Sequence, residues 1–120
     1  MNEQLLNFGK QYIKEVRDNS IYTLENIING KMKGELNQEM FRLINNLPQA
    51  QVELLKRVAY RMIDLTLHNT LNMFEQSDSW AISNVSEGVE SINDISDGLA
   101  GELYTEDGWI KQFSEYPSSL

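Results

Sequence analysis

An all-α fold is predicted, four main helices packed on a long central one, in a single domain over residues 1–120. Three observations carry it. The stretch Pro48–Gln76 runs without Gly and, after its first residue, without Pro. Its polar residues fall at Glu53, Lys56, Arg57, Tyr60, Arg61, Asp64, His68, Asn72 and Glu75, the steps of three and four that form one stripe on an α-helix. The same spacing marks three other stretches, and the one candidate extended piece, Trp80–Val85, is too short to make a sheet of its own.

The first helix is predicted over 3–29. Its polar positions face a row that includes Leu5, Leu6, Phe8, Tyr12, Ile13, Val16, Leu24, Ile27 and Ile28. The stripe holds its phase past Asp18-Asn19-Ser20, which favours one helix, kinked near Ser20, over a break capped by Ser20. Gly30 and Gly34 bracket a loop. A second helix follows over 35–46, with Leu36, Met40, Leu43, Ile44 and Leu47 on one face. Pro48 ends it, because the residue before proline avoids the helical region. Proline also suits the start of the next helix.

The central helix is predicted over 49–76. Val52, Leu54, Leu55, Val58, Met62, Ile63, Leu65, Leu67, Leu71, Met73 and Phe74 make an apolar arc wider than one neighbour needs, so other helices are expected around it. A fourth helix is predicted over 86–97, with Val85, Val89, Ile92, Ile95 and Leu99 inward and Glu87, Glu90, Asp94 and Asp97 in an acidic outward stripe. A short helical element over 109–115 follows a Gly-rich segment carrying Glu102, Tyr104, Glu106 and Asp107.

Charge is divided along the chain. Residues 1–61 hold nine Lys/Arg against seven acids, and residues 62–120 hold one base, Lys111, against eleven acids. Net charge is −8. Such a surface repels nucleic acid and membranes and speeds encounter with a basic partner. There is no cysteine, which excludes disulfides, thiolate metal sites and cysteine nucleophiles. The N-terminus lacks a signal-peptide pattern and no apolar run approaches a membrane span, so a cytoplasmic protein is expected. The low proline and high Asn/Gln/Ser content reads as bacterial.

No motif calls for a catalytic residue, a cofactor or a metal. His68, the one histidine, has Asp64 a turn before it, a base-and-orienter spacing, but no nucleophile motif accompanies it, and an exposed structural role is expected. The acids Asp94, Asp97, Glu102, Glu106 and Asp107 do not follow the EF-hand spacing. Lys10, Lys14 and Arg17 make a basic stripe on the first helix, expected to pair with the acidic half within the fold or across a dimer.

The strongest functional pattern combines acids with aromatics. Glu87, Glu90, Asp94, Asp97, Glu102, Glu106 and Asp107 would steer and select a basic protein partner, with Tyr104 and Trp109 as anchors. For Trp80 and Trp109, a place in the core that closes the bundle's end is the favoured reading, and the two roles can coexist. A small, acidic, cysteine-free, helical chain with an acid-and-aromatic patch is similar in physical type to the immunity proteins that neutralise nuclease toxins, although no motif carries the likeness. The resemblance implies a non-enzymatic protein that occludes a basic nuclease. The alternative is a homodimeric adaptor, with the basic first half of one copy facing the acidic second half of the other.

Overall fold

The computed structural model describes residues 2–119. It is all-α: helices predominate and no strand is present among the described residues. The first helix covers 3–28 without a break. Asn2 caps it, its side-chain oxygen accepting from the N–H groups of Gln4 and Leu5, which satisfies donors that a helix start leaves free. The second helix is Glu35–Asn45, the long helix is Gln49–Gln76, and a short C-terminal helix is Trp109–Phe113. The corner at Leu47-Pro48 stands as predicted. Pro48 is extended (ψ 147°) and its carbonyl accepts the first N–H groups of the long helix.

The middle of the first helix, Ile13–Asp18, is π-helical. The residues turned inward explain why. Leu5, Gly9, Ile13, Arg17 and Ile21 are buried at steps of four. In an α-helix with 3.6 residues per turn, each such step runs about 40° ahead. The wider π turn absorbs that drift. It also overturns two sequence expectations. Val16, placed on the inner face, is exposed, while Arg17 and Asp18, placed outside, are buried.

The predicted fourth helix over 86–97 is absent. An isolated antiparallel bridge joins Asn84 to Val89, and two short 3₁₀ turns follow, Ile92–Ile95 and Ala100–Leu103. Side chains here bond to nearby backbone and so compete with a helix. Asn84 Oδ1 accepts from the Glu87 N–H, Ser91 Oγ from Asn93, and Ser96 Oγ from Gly98. Gly88 takes a positive φ of 71° at the turn, a conformation that only glycine adopts without strain. Carboxylates three and four residues apart would also repel along a helix.

This segment wraps the far end of the molecule and closes its core. Leu5 and Ile13 from the first helix meet Leu67 and Leu71 from the long helix. Ile92, Leu99, Leu103, Trp109 and Ile110 cover them from the wrap. Gly9 is required at the contact with Trp109, since a Cβ there would collide with the indole ring. Tyr12 donates to the Leu67 carbonyl, Asn93 to that of Phe74, and the Ala100 N–H to Glu75.

The other end is thinner. The second helix has no buried residue, and Val52 is the only buried residue in the first three turns of the long helix. The molecule measures 50 × 29 × 23 Å. The long helix, at 1.5 Å per residue about 42 Å, runs most of that length.

The long helix buries a different face from the one its apolar arc predicts. Its polar stripe turns largely inward: Asp64 is fully buried, and Lys56, Tyr60, Arg61, His68 and Glu75 are half-buried. Much of the apolar arc turns outward, with Leu54 at 60%, Val58 at 52%, Met62 at 55% and Met73 at 55% exposure. The inward polar groups tolerate this because they find partners, as buried polar groups must. Asp64 meets Arg17, Tyr60 donates to Glu25, and Glu75 accepts from Ala100.

Candidate functional site

The acids singled out in the sequence lie along the wrap. Glu87 and Glu90 are exposed at and beside the Asn84–Val89 turn, which Asn84 ties to Gln4 of the first helix. Asp94 and Asp97 are exposed on and after the first 3₁₀ turn. Glu106 and Asp107 are exposed before the C-terminal helix. Glu102 is half-buried in the second 3₁₀ turn. Burial, and then the Asp97 charge, raise its pKa above the ordinary glutamate value. Asp97 and Glu102 thus share a field. No helix gathers these acids into a single stripe, because the helix that would have done so is not there.

The three ion pairs formed among the described residues are Lys14–Glu115, Arg17–Asp64 and Lys56–Glu25. None uses Glu87, Glu90, Asp94, Asp97, Glu102, Glu106 or Asp107. Among the described residues, no three carboxylate or imidazole groups converge as metal ligands would.

The proposed aromatic anchors part company. Trp109 is 2% exposed, with its ring edge-on to Phe8 at 5.7 Å, so it is a core residue and unavailable as an interface anchor. Tyr104 is half-buried, donating its hydroxyl to the Asp64 carbonyl and tilting against His68. His68 is correspondingly half-buried and not exposed, and its Nδ1 has no hydrogen-bond partner among the described residues. The exposed apolar side chains of the wrap are instead Trp80 (71%) and Val85 (91%), flanking the acids on their N-terminal side. Sequence reasoning left Trp80 open and assigned Val85 inward. No periodic signal distinguishes them, since both lie outside any regular element.

Two members of the basic stripe of the first helix, Lys14 and Arg17, pair with the acidic half within one chain, while Lys10 is exposed and forms no ion pair among the described residues. Lys14 reaches Glu115 at 3.8 Å. Arg17 donates to both oxygens of Asp64, to Ser114 Oγ, and to the carbonyls of Tyr116 and Pro117. These five bonds match the five N–H donors of a guanidinium. Asp18 accepts from the Ser114 hydroxyl and the Glu115 N–H. This network is a clasp for the C-terminal segment. Its groups are engaged with one another.

No family model, curated protein or solved structure matches the chain. The reading of the site therefore rests on its own residues.

No helix among the described residues is long and apolar enough to cross a membrane. The substantial surface feature of the wrap remains its unpaired negative charge beside Trp80 and Val85.

Proposed function

We propose that the protein is a non-enzymatic binding protein whose acidic wrap engages a basic protein, in the concrete case by covering the substrate site of a basic nuclease toxin. The observation that carries this reading is the set of seven acids over 87–107 that make no ion pair within the fold. Unpaired carboxylates on a continuous segment are available to cationic side chains, and the field they generate raises the association rate. Glu102, whose pKa is raised by burial and then by the Asp97 charge, would be relieved by a neighbouring cation.

The anchoring role passes from Trp109 to Trp80 and Val85, whose exposed surface can be buried against a partner. Tyr104 contributes its ring edge from the half-buried position beside His68. Acids around an apolar anchor divide the work of recognition. The charges steer and reject wrong partners, and the apolar contact slows dissociation.

The test is binding to a panel of purified basic nuclease domains, by interferometry, at roughly 0.05 and 0.5 M salt, where screening differs several-fold. Association with a cognate domain should slow steeply with salt. It should also slow in the Asp94→Lys/Asp97→Lys variant. Binding that ignores both salt and the substitutions would sink the proposal.

A further inference from the structure

The long helix buries Leu67 and Leu71 but also turns much of its polar stripe inward, which leaves Leu54, Leu55, Val58, Met62 and Met73 on an outer face without a partner. We propose that this face is the seat of a second copy of the chain, docked antiparallel about a two-fold axis level with residue 60.

The spacing of the face suits another helix. Leu55, Val58, Met62, Leu65 and Asn69 follow one another at steps of three and four, the repeat by which helices pack knobs into holes. Apart from the half-buried Leu65 and the exposed, polar Asn69, these positions and their neighbours Leu54 and Met73 are exposed apolar side chains. Together they present on the order of 500 Å² of apolar surface, the size of the largest patch on an ordinary monomer, which is often functional. A two-fold operation doubles that to about 1,000 Å², the lower bound for a biological interface and the size class of weak, reversible ones.

The face is complementary to itself. Antiparallel pairing about residue 60 sets Leu55 against Leu65 of the partner subunit and Val58 against Met62 of the partner subunit. The same register places the Gln51 amide against Asn69 of the partner subunit, and Leu54 at the margin against Thr66 of the partner subunit. At the centre of the face apolar side chains meet apolar ones, and the amides meet each other. An isologous contact requires this reciprocity.

Charge favours one orientation. The corner end of the molecule carries Lys31, Lys33, Arg42, Lys56 and Arg57 against Glu25, Glu35, Glu39 and Glu53, a slight positive balance, whereas from Asp78 to Asp107 there is no basic residue. Antiparallel docking lays the slightly basic end of each copy along the acidic end of the other. Parallel docking would stack acid on acid, which is unfavourable. The outer face itself carries no charge from Leu54 to Met73 (Gln51, Thr66 and Asn69 are its polar members), so nothing charged has to be desolvated.

The test uses the full chain. Light scattering after size exclusion at roughly 50 μM, well above a micromolar Kd, should give twice the 13.9 kDa chain mass. The dimer should persist at high salt, unlike binding through the acidic wrap. Val58→Glu with Met62→Glu, both at exposed positions, should weaken dimerisation at least 100-fold while leaving the helical circular dichroism intact. Because the chain lacks cysteine, oxidising an equimolar mixture of Leu55→Cys and Leu65→Cys chains should yield the mixed 55–65 disulfide. A single-chain mass, or a dimer indifferent to the glutamates, overturns the proposal. Preferential 55–55 linkage overturns its orientation.

Discussion

The Arg17 guanidinium and the Asp64 carboxylate meet at 2.6 Å with neither side chain exposed to solvent. They lie 47 residues apart and fasten the first helix to the long one at the level of the π turn. A buried pair of this kind is weak evidence of net stabilisation, but removing one partner strands the other. Arg17→Met should therefore cost about 3–5 kcal/mol in urea unfolding. It leaves Asp64 unpaired and frees the carbonyls of Tyr116 and Pro117. Arg17→Met with Asp64→Leu should recover only part of the loss, because those carbonyls stay without a donor. A single variant within 1 kcal/mol of the parent would contradict the clasp.

Gly9 and Trp109 supply a second test, with an unusual sign. Replacing glycine by alanine inside a helix ordinarily stabilises by up to about 1 kcal/mol. Here the added methyl group would strike the buried indole. Gly9→Ala should instead destabilise by about 1–3 kcal/mol, the cost of overpacking. Chemical denaturation measures it, and a red-shifted tryptophan emission should accompany it.

The two tryptophans should respond differently to a quencher. Trp80 is mostly exposed and Trp109 is buried. Trp80→Phe should leave emission that is blue-shifted and shielded from acrylamide, with stability within about 0.5 kcal/mol of the parent. Trp109→Phe should leave red-shifted, readily quenched emission and lower stability by more than about 1 kcal/mol. Equal quenching of the two variants would be inconsistent with the wrap as described.

Tyr60 gives a pH dependence. Burial, then the hydrogen bond and charge of Glu25, push its pKa from 10.0 up to about 12. The folded state thus favours the neutral phenol. The stability this contributes is present in full below pH 10, the unfolded value, and is lost as pH rises from 10 through about 12. This is the linkage expected of a group whose folded pKa is raised. Unfolding free energy followed across that window should fall less in Tyr60→Phe than in the parent. Identical slopes would rule out the Tyr60–Glu25 contact as the cause.

Much of the fold is legible in the residues. The long helix begins and ends where Pro48 and Ser77 say it should, and the first helix runs through Ser20 unbroken. What periodicity could not disclose is which side of each helix faces the core. On the long helix an amphipathic wheel favours apolar-in, yet Arg17 requires Asp64 inside, and a single buried carboxylate turns the stripe with it. The 86–97 segment misled for a different reason. Its acids happen to fall at helical intervals, while Asn84, Ser91 and Ser96 bind the backbone locally. Of the candidate site, the exposed acids were readable from charge alone. The exchange of Trp109 for Trp80 and Val85 as exposed groups depends on chain reversal at Gly88 and on the space that Gly9 leaves for an indole.

The π turn at Ile13–Asp18 amounts to one surplus residue accommodated inside a helix. Six residues at π winding turn the chain through nearly the same angle as five at α winding. Excising a single residue there would restore ordinary α-helical winding and leave the second half of the helix, Ile21 included, facing the side it faces now. The change would fall inside the turn, on the spacing of Ile13 and Arg17 that sets the clasp. Substitutions at its exposed positions, such as Glu15, should be absorbed, and a one-codon deletion should act on the Arg17 network while sparing the helix beyond it.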